Sequence, residues 1–257
     1  MKKIGIIGFG NLGRAFATGI LSRGIFARED VLVCSKSDST LALARERFGL
    51  YATSDVSEAV SACDYLFLSI KKNVFLELAP SIDRKKLADM IIISCMAGFT
   101  VAQINGALGF GARVVRAMPT LAIAEADGIV AYTKTDDEKI SSMFRALGFA
   151  FEVEEGDIEK VTVYAACGLG FAAYLLDAYV RAGVALGFDE ATSKKIAEMD
   201  FASAIARSDY KATMAEVATK GGATEYGFAH MTKNGVDANI ASALLATHRR
   251  LMGEPGE

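Results

Sequence analysis

The segment Gly8-Phe9-Gly10-Asn11-Leu12-Gly13 follows directly on the apolar run Ile4–Ile7 and leads into the helical pattern Ala15-Phe16-Ala17-Thr18-Gly19-Ile20-Leu21. A strand, a glycine turn and a helix in that order are what a dinucleotide-binding fold requires. Gly8 permits the tight turn, Gly10 lets the backbone approach a pyrophosphate, and Gly13 lets the helix lie close on the strand. The helix N-terminus then directs its N–H groups at the phosphates. Gly8, Phe9, Gly10, Asn11, Leu12 and Gly13 are accordingly the first predicted cofactor-binding residues.

Strand-like and helix-like segments keep alternating beyond this turn. Strand patterns over residues 31–35, 65–70 and 91–94 are followed by helical patterns over 41–48, 74–78 and 101–108, and a further strand covers 113–118. Such alternation implies crossover connections and a mostly parallel sheet with helices on both faces. Strands over 128–133 and 150–153, flanking a helix over 137–147, extend the sheet at its edge. After about Ile158 strand signals stop, and helical periodicity runs through 161–186, 189–208, 211–218 and 236–251. The expected fold is α/β, with an N-terminal Rossmann-type domain over residues 1–157 and an all-α domain over 158–257.

With 257 residues, 52% of them hydrophobic, the chain can bury a sizeable core. Its net charge is −3 and carries no basic stripe, which argues against nucleic-acid binding. Cys34, Cys63, Cys95 and Cys167 lie far apart, without the spacing of a zinc site or a redox pair, and read as small core residues in a reducing compartment. No metal site is expected. Neither histidine, His230 nor His248, has a carboxylate or cysteine at catalytic spacing. Met1-Lys2-Lys3 leads straight into the first strand, so a cytoplasmic protein without a separate signal is expected. Residues 165–186 are apolar enough to span a bilayer, but Asp177 and Arg181 would each cost about 2.5–3.5 kcal/mol at its centre. Their i, i+4 spacing suits an ion pair on a soluble helix, and burial of that helix at a subunit interface, not in a membrane, is expected.

The second strand ends Val33-Cys34-Ser35-Lys36-Ser37, where a chain preferring NAD usually carries an acidic residue for the ribose 2′-hydroxyl. Hydroxyls and a lysine suit a 2′-phosphate instead. NADPH is therefore the expected cofactor, held there by Ser35 and Lys36, with NADH as the alternative.

Further motifs resemble the pyrroline-5-carboxylate reductase family over nearly the whole chain. Leu68-Ser69-Ile70-Lys71 stands where the family has a hydrophobic pair and Lys-Pro, and Arg113-Val114-Val115-Arg116-Ala117-Met118-Pro119 is similar to its Arg-Val-Met-Pro strand. Asp127-Gly128 stands at its Glu-Gly. Gly168-Leu169-Gly170-Phe171-Ala172 is similar to its Gly-Ser-Gly-Pro-Ala, and Thr219-Lys220-Gly221-Gly222-Ala223-Thr224 to its Ser-Pro-Gly-Gly-Ala/Thr-Thr. The resemblance implies a cytoplasmic homodimer joined through the helical domain, with the active site between the two domains. It implies reduction of 1-pyrroline-5-carboxylate to L-proline, with hydride delivered to the carbon of a cyclic C=N bond. Ser69, Ile70, Lys71, Met118 and Pro119 would then meet the cofactor, and Thr219, Lys220, Gly221, Gly222 and Ala223 the substrate. Thr224 would hydrogen-bond the ring nitrogen as the catalytic residue, while Gly221 and Gly222 would turn backbone N–H groups toward the substrate carboxylate.

The chain departs from the family at several of these places. Met118-Pro119-Thr120-Leu121-Ala122 replaces Met-Pro-Asn-Thr-Pro, Lys72 replaces the proline after Lys71, and Thr219-Lys220 replaces Ser-Pro. These changes keep two alternatives open, a reductase acting on a different cyclic imine and a non-catalytic NADP(H)-binding regulator. A hydroxyacid dehydrogenase would carry a catalytic lysine where Tyr174 stands.

Overall fold

The computed structural model describes residues 3–109 and 111–254. Met1, Lys2, Phe110 and residues 255–257, which include the outer ends of both expected domains and most of the N-terminal lead-in, lie outside the described residues. The chain forms two compact units, Met1–Ala166 and Cys167–Glu257.

The first unit is an eight-stranded sheet in the order β3-β2-β1-β4-β5-β6-β7-β8. Its parallel strands are β1 (Ile4–Ile7), β2 (Val31–Cys34), β3 (Tyr51–Thr53), β4 (Tyr65–Leu68), β5 (Ile91–Ser94) and β6 (Arg113–Pro119). At the edge, β7 (Gly128–Thr133) runs antiparallel to β6, and β8 (Gly148–Val153) is parallel to β7. Successive strand residues point to opposite faces, and both faces are buried. Ile4, Ile6, Phe67, Ile91 and Ile93 pack beneath α1 (Asn11–Ser22), α2 (Asp38–Phe48) and α7 (Glu138–Ala146). Ile7, Leu66, Leu68 and Ile92 pack beneath α3 (Val56–Ala62), α4 (Lys72–Leu78), α5 (Arg84–Leu87) and α6 (Val101–Leu108). That two-sided burial is why the central strands read as unbroken apolar runs.

The expected strand–helix alternation is present, with β3 and α3 added between Phe48 and Tyr65. A three-residue edge strand whose Tyr51 is exposed shows too little alternation to be read from sequence, and the seven-residue α3 is marked mainly by the Asp55 carboxylate accepting the Ser57 N–H at 2.8 Å. Cys34 and Cys95 are core residues, but Cys63 and Cys167 are only half-buried.

The first unit continues past the expected boundary at 157/158. α8 (Ile158–Val161) is followed by a π-helical turn, Thr162–Ala166, so the single helix expected over 161–186 is interrupted. Thr162 Oγ1 donates to the Ile158 carbonyl at 2.8 Å, a back-bond that bends helices. Ile158, Glu159, Thr162 and Val163 are buried, which ties this stretch to the sheet unit.

In the second unit, α9 (Gly168–Ala185) packs on α10 (Glu190–Arg207). Gly183 allows the approach, since a Cβ there would lie 2.8 Å from Ser193 Oγ, and Ser193 and Ala197 are buried. Tyr179 meets Phe201 edge-on at 5.6 Å. Asp177 and Arg181 form the expected ion pair at 3.0 Å. Among the described residues, the run Glu155–Ala185 is the one helical stretch long and apolar enough to cross a membrane. The expectation that α9 is buried on most sides is not met within the chain: α9 contains no buried residue, and neither do α11 (Tyr210–Val217), α12 (Ala223–Lys233) or α13 (Val236–Leu251).

Phe16 of α1 is fully buried and stacks on Phe67 of β4 with ring centroids 3.7 Å apart. Phe16→Ala is expected to cost about 3–5 kcal/mol through lost burial and a residual cavity, read as a lower midpoint on urea titration.

Candidate functional site

The turn after β1 is built by close backbone approach. Gly8 has φ +93°, and a Cβ there would lie 2.7 Å from the Ser69 carbonyl oxygen; a Cβ at Gly13 would overlap the Gly8 carbonyl. The Ser69 hydroxyl donates to that same carbonyl at 2.7 Å, locking the end of β4 against the turn. Gly10 differs from both. It is the extended N-cap of α1, it supplies no side-chain cap, and a Cβ on it would meet nothing within 4 Å. An uncapped N-terminus beside open space, with no acidic residue in its first turn, is suited to an anion.

Beside the turn lies a cavity of about 490 Å³ lined by Leu12, Ser69, Ile70, Lys71, Lys72, Asn73, Cys95, Met96 and Ala97. It sits at the carboxyl ends of β4 and β5, next to the crevice between β1 and β4 where the strand order reverses, the usual ligand position in such sheets. Four predicted residues, Leu12, Ser69, Ile70 and Lys71, are thus brought together. Lys72, Asn73, Cys95, Met96 and Ala97 join them without having been expected at the cofactor; the ends of β4 and β5 were the available signal, because ligand sites follow the carboxyl ends of strands.

Several predicted residues lie elsewhere. The Phe9 side chain is buried edge-on to Phe48 at 5.0 Å, so this residue can offer a ligand only its backbone. Asn11 accepts from Arg14 Nη2 at 2.5 Å. Met118 and Pro119 are buried in β6, opposite Ala131 and Val130 of β7, and do not line the cavity. Ser35 and Lys36 follow β2 directly; Lys36 is exposed and stands 3.9 Å from Glu77, a contact too solvated to hold its charge away from a phosphate. Burial pushes the Cys95 thiol well above its ordinary range despite the nearby Arg116 charge, which leaves it protonated and unreactive.

In the helical unit, Gly221 adopts φ +73° and Gly222 is the extended N-cap of α12, again without a side-chain cap. Here the expected donors are corrected. The Gly221 N–H donates to Glu225 Oε2 at 2.6 Å and the Gly222 N–H to the Thr219 carbonyl at 2.8 Å, so both are already satisfied. The N–H groups of the uncapped first turn of α12, those of Ala223 and Thr224 among them, are the ones left to an anion. Glu225 was missed, although a glutamate at the third helical position is a familiar partner for upstream backbone N–H groups. Thr224 is half-buried, whereas Thr219, Lys220, Gly221 and Ala223 are exposed.

Two family matches cover most of the chain. Residues 3–98 match the family described as NADP oxidoreductase coenzyme F420-dependent, and residues 155–253 match pyrroline-5-carboxylate reductase dimerisation. Pyrroline-5-carboxylate reductase 3 of Xenopus laevis is 26% identical over 97% of this chain and 94% of its own length. Two solved structures share the fold at 21% identity. The 1-pyrroline-5-carboxylate reductase of Streptococcus pyogenes has a TM-score of 0.88 with 98% of each chain covered. The pyrroline carboxylate reductase of Plasmodium falciparum with NADP bound has a TM-score of 0.86, covering 98% of this chain and 97% of its own.

The glycines separate stability from binding. Gly13→Ala is expected to lower both the melting temperature and dinucleotide affinity, because the Cβ must push α1 off the turn. Gly10→Ala should keep the melting temperature while weakening dinucleotide binding about 10- to 100-fold, the equivalent of one or two charged hydrogen bonds, measured by cofactor fluorescence titration.

Proposed function

The chain belongs to the pyrroline-5-carboxylate reductase family, and on that premise we propose that it reduces 1-pyrroline-5-carboxylate to L-proline with NADPH, as a cytoplasmic homodimer in proline biosynthesis. It is an NAD(P)H-dependent oxidoreductase acting on CH–NH donors. The observation that carries the proposal is the presence among the described helices of two N-termini led by an extended glycine without a side-chain cap, one on α1 and one on α12. The first suits the phosphates of a dinucleotide, and the second suits a small carboxylate.

The nicotinamide cofactor fits the residues present: open space at Gly10, uncapped donors on α1 and the cavity at the ends of β4 and β5. When bound, the reduced cofactor supplies the hydride that the imine carbon accepts. The first turn of α1 holds the pyrophosphate, and Ser35 and Lys36 hold the 2′-phosphate. Ser69, Ile70 and Lys71 form one wall beside the nicotinamide, and Met118 and Pro119 support the sheet behind it. The backbone N–H groups of Ala223 and Thr224 take the substrate carboxylate, with Thr219, Lys220, Gly221 and Gly222 shaping that turn. The Thr224 hydroxyl hydrogen-bonds the ring nitrogen, which carries the added proton in the product. An iminium carbon is already electrophilic, so positioning supplies most of the catalysis. Pairing through the helical unit accounts for the exposed Leu169, Tyr174, Leu175, Val184 and Leu186, an apolar set too large to leave in water.

One observation favours a second reading. The Thr120 hydroxyl accepts the Ile129 N–H at 3.0 Å, and Leu121 beside it is exposed. A wall with fewer free polar groups than Asn-Thr suits a bulkier or more apolar cyclic imine.

A panel of five- and six-membered cyclic imine carboxylates, assayed with NADPH and NADH, decides between these readings. Fastest turnover of 1-pyrroline-5-carboxylate supports the first and a larger imine the second; NADPH binding without turnover of any imine would overturn both. Thr224→Ala is expected to lower kcat/KM about 10- to 100-fold at unchanged NADPH affinity. Ser35→Asp should shift preference toward NADH, read as the ratio of kcat/KM for the two cofactors.

A further inference from the structure

Arg116 is among the largest fully buried side chains of the described residues and plays no part in the function described above. From β6 its Nη2 donates to Glu159 Oε1 at 2.5 Å and to the Met96 carbonyl at 3.3 Å, while Nη1 lies 3.6 Å from Glu155 Oε1. The two carboxylates reach onward to the same segment: Glu159 Oε1 accepts the Gly98 N–H at 3.1 Å, and Glu155 Oε1 accepts the Val101 N–H at 2.6 Å. Three ties therefore hold the connection between β5 and α6 from behind, at Met96, Gly98 and Val101. The front of that connection, Cys95 to Ala97, is a wall of the cavity at the ends of β4 and β5.

Stability alone is a poor reason for this cluster. Buried ion pairs roughly break even against apolar side chains of the same volume, and here the Nε and Nη1 of Arg116 have no hydrogen-bond partner among the described residues. What the arrangement does supply is direction. A planar guanidinium between two carboxylates fixes the Met96 carbonyl, and Gly98, at φ +64°, depends on its N–H contact to hold a left-handed turn that the backbone alone does not enforce.

We infer that Arg116, Glu155 and Glu159 are positioning residues for hydride transfer: they set the Cys95–Ala97 wall against which the nicotinamide ring rests. The inference builds on the reading of this cavity as the nicotinamide end of the cofactor site. The wall belongs to the end of β5, whereas the pyrophosphate is assigned to the first turn of α1 and the 2′-phosphate to the residues after β2, so the cluster governs turnover more than cofactor affinity.

The test uses the whole chain and the double variant Arg116→Met/Glu159→Met, which removes both buried charges together and so avoids leaving one unpaired. With 1-pyrroline-5-carboxylate, kcat is expected to fall about 10- to 100-fold, the cost of a small misplacement at the reacting centre, while the NADPH Kd stays within about threefold. Independently of activity, the rate of Cys95 alkylation, followed by peptide mass spectrometry, is expected to rise at least about tenfold as the wall loosens, with Cys34 as the unchanged internal reference. An unchanged kcat together with unchanged Cys95 alkylation overturns the inference. So does a joint collapse of melting temperature, NADPH affinity and Cys34 protection, which would mark an ordinary core contact. A wild-type protein idle toward every imine, whose Cys95 is nevertheless released in the variant, sinks the functional reading and leaves the wall tie standing.

Discussion

The backbone of α1 lies against the backbone at the ends of β1 and β4 with no room for a side chain between them. Gly13 faces the Gly8 carbonyl, Gly8 faces the Ser69 carbonyl, and the Ser69 hydroxyl bonds the Gly8 carbonyl at 2.7 Å. From this contact follow the direction of α1, the pointing of its uncapped N-terminus at the crevice between β1 and β4, and the place where the cavity opens. A methyl group at Gly8 or Gly13 would have to separate these elements. At Gly10 it would meet nothing within 4 Å.

The same device appears in the helical unit with a different allocation of donors. Gly222 starts α12 as Gly10 starts α1, both extended and both without a side-chain cap. In α12, however, Glu225 takes the Gly221 N–H and the Thr219 carbonyl takes the Gly222 N–H, so the free donors begin with Ala223 and Thr224 in the first turn of the helix. A reader of the local sequence sees two glycines and assigns both N–H groups to a ligand. Only the reach of the Glu225 side chain back to Gly221, together with the turn that brings the Thr219 carbonyl to Gly222, shows that they are spent.

Much of the fold was legible because it depends on short-range regularities. The apolar runs of β1, β4 and β5 reflect burial on both faces, and the 3.6-residue periods of α10 and α13 fall within a residue or so of the observed helices. Two of the misses have a clear physical cause. β3 and α3 are too short for any period to register, and the helix expected over 161–186 breaks at a π turn marked by one threonine back-bond. Of the site, the glycines, Leu12 and the Ser69–Lys71 stretch were readable from chemistry and spacing. Cys95, Met96 and Ala97 were not, since small and apolar residues carry no chemical signature until the strand before them is placed.

By itself, the sequence determined the strand–glycine–helix turn, the alternation that makes a parallel sheet, the change to helices after it, and the absence of an acidic residue at the end of β2. Each rests on backbone sterics or on side-chain periodicity, which act between near neighbours. The tertiary structure alone decided which backbone donors stay free, which side chains line the cavity, and that Arg116 is joined to Glu159 across 43 positions of chain. Hydrogen-bonding capacity and buried charge are shared among whichever groups the fold brings together, and no local pattern records how that sharing falls out.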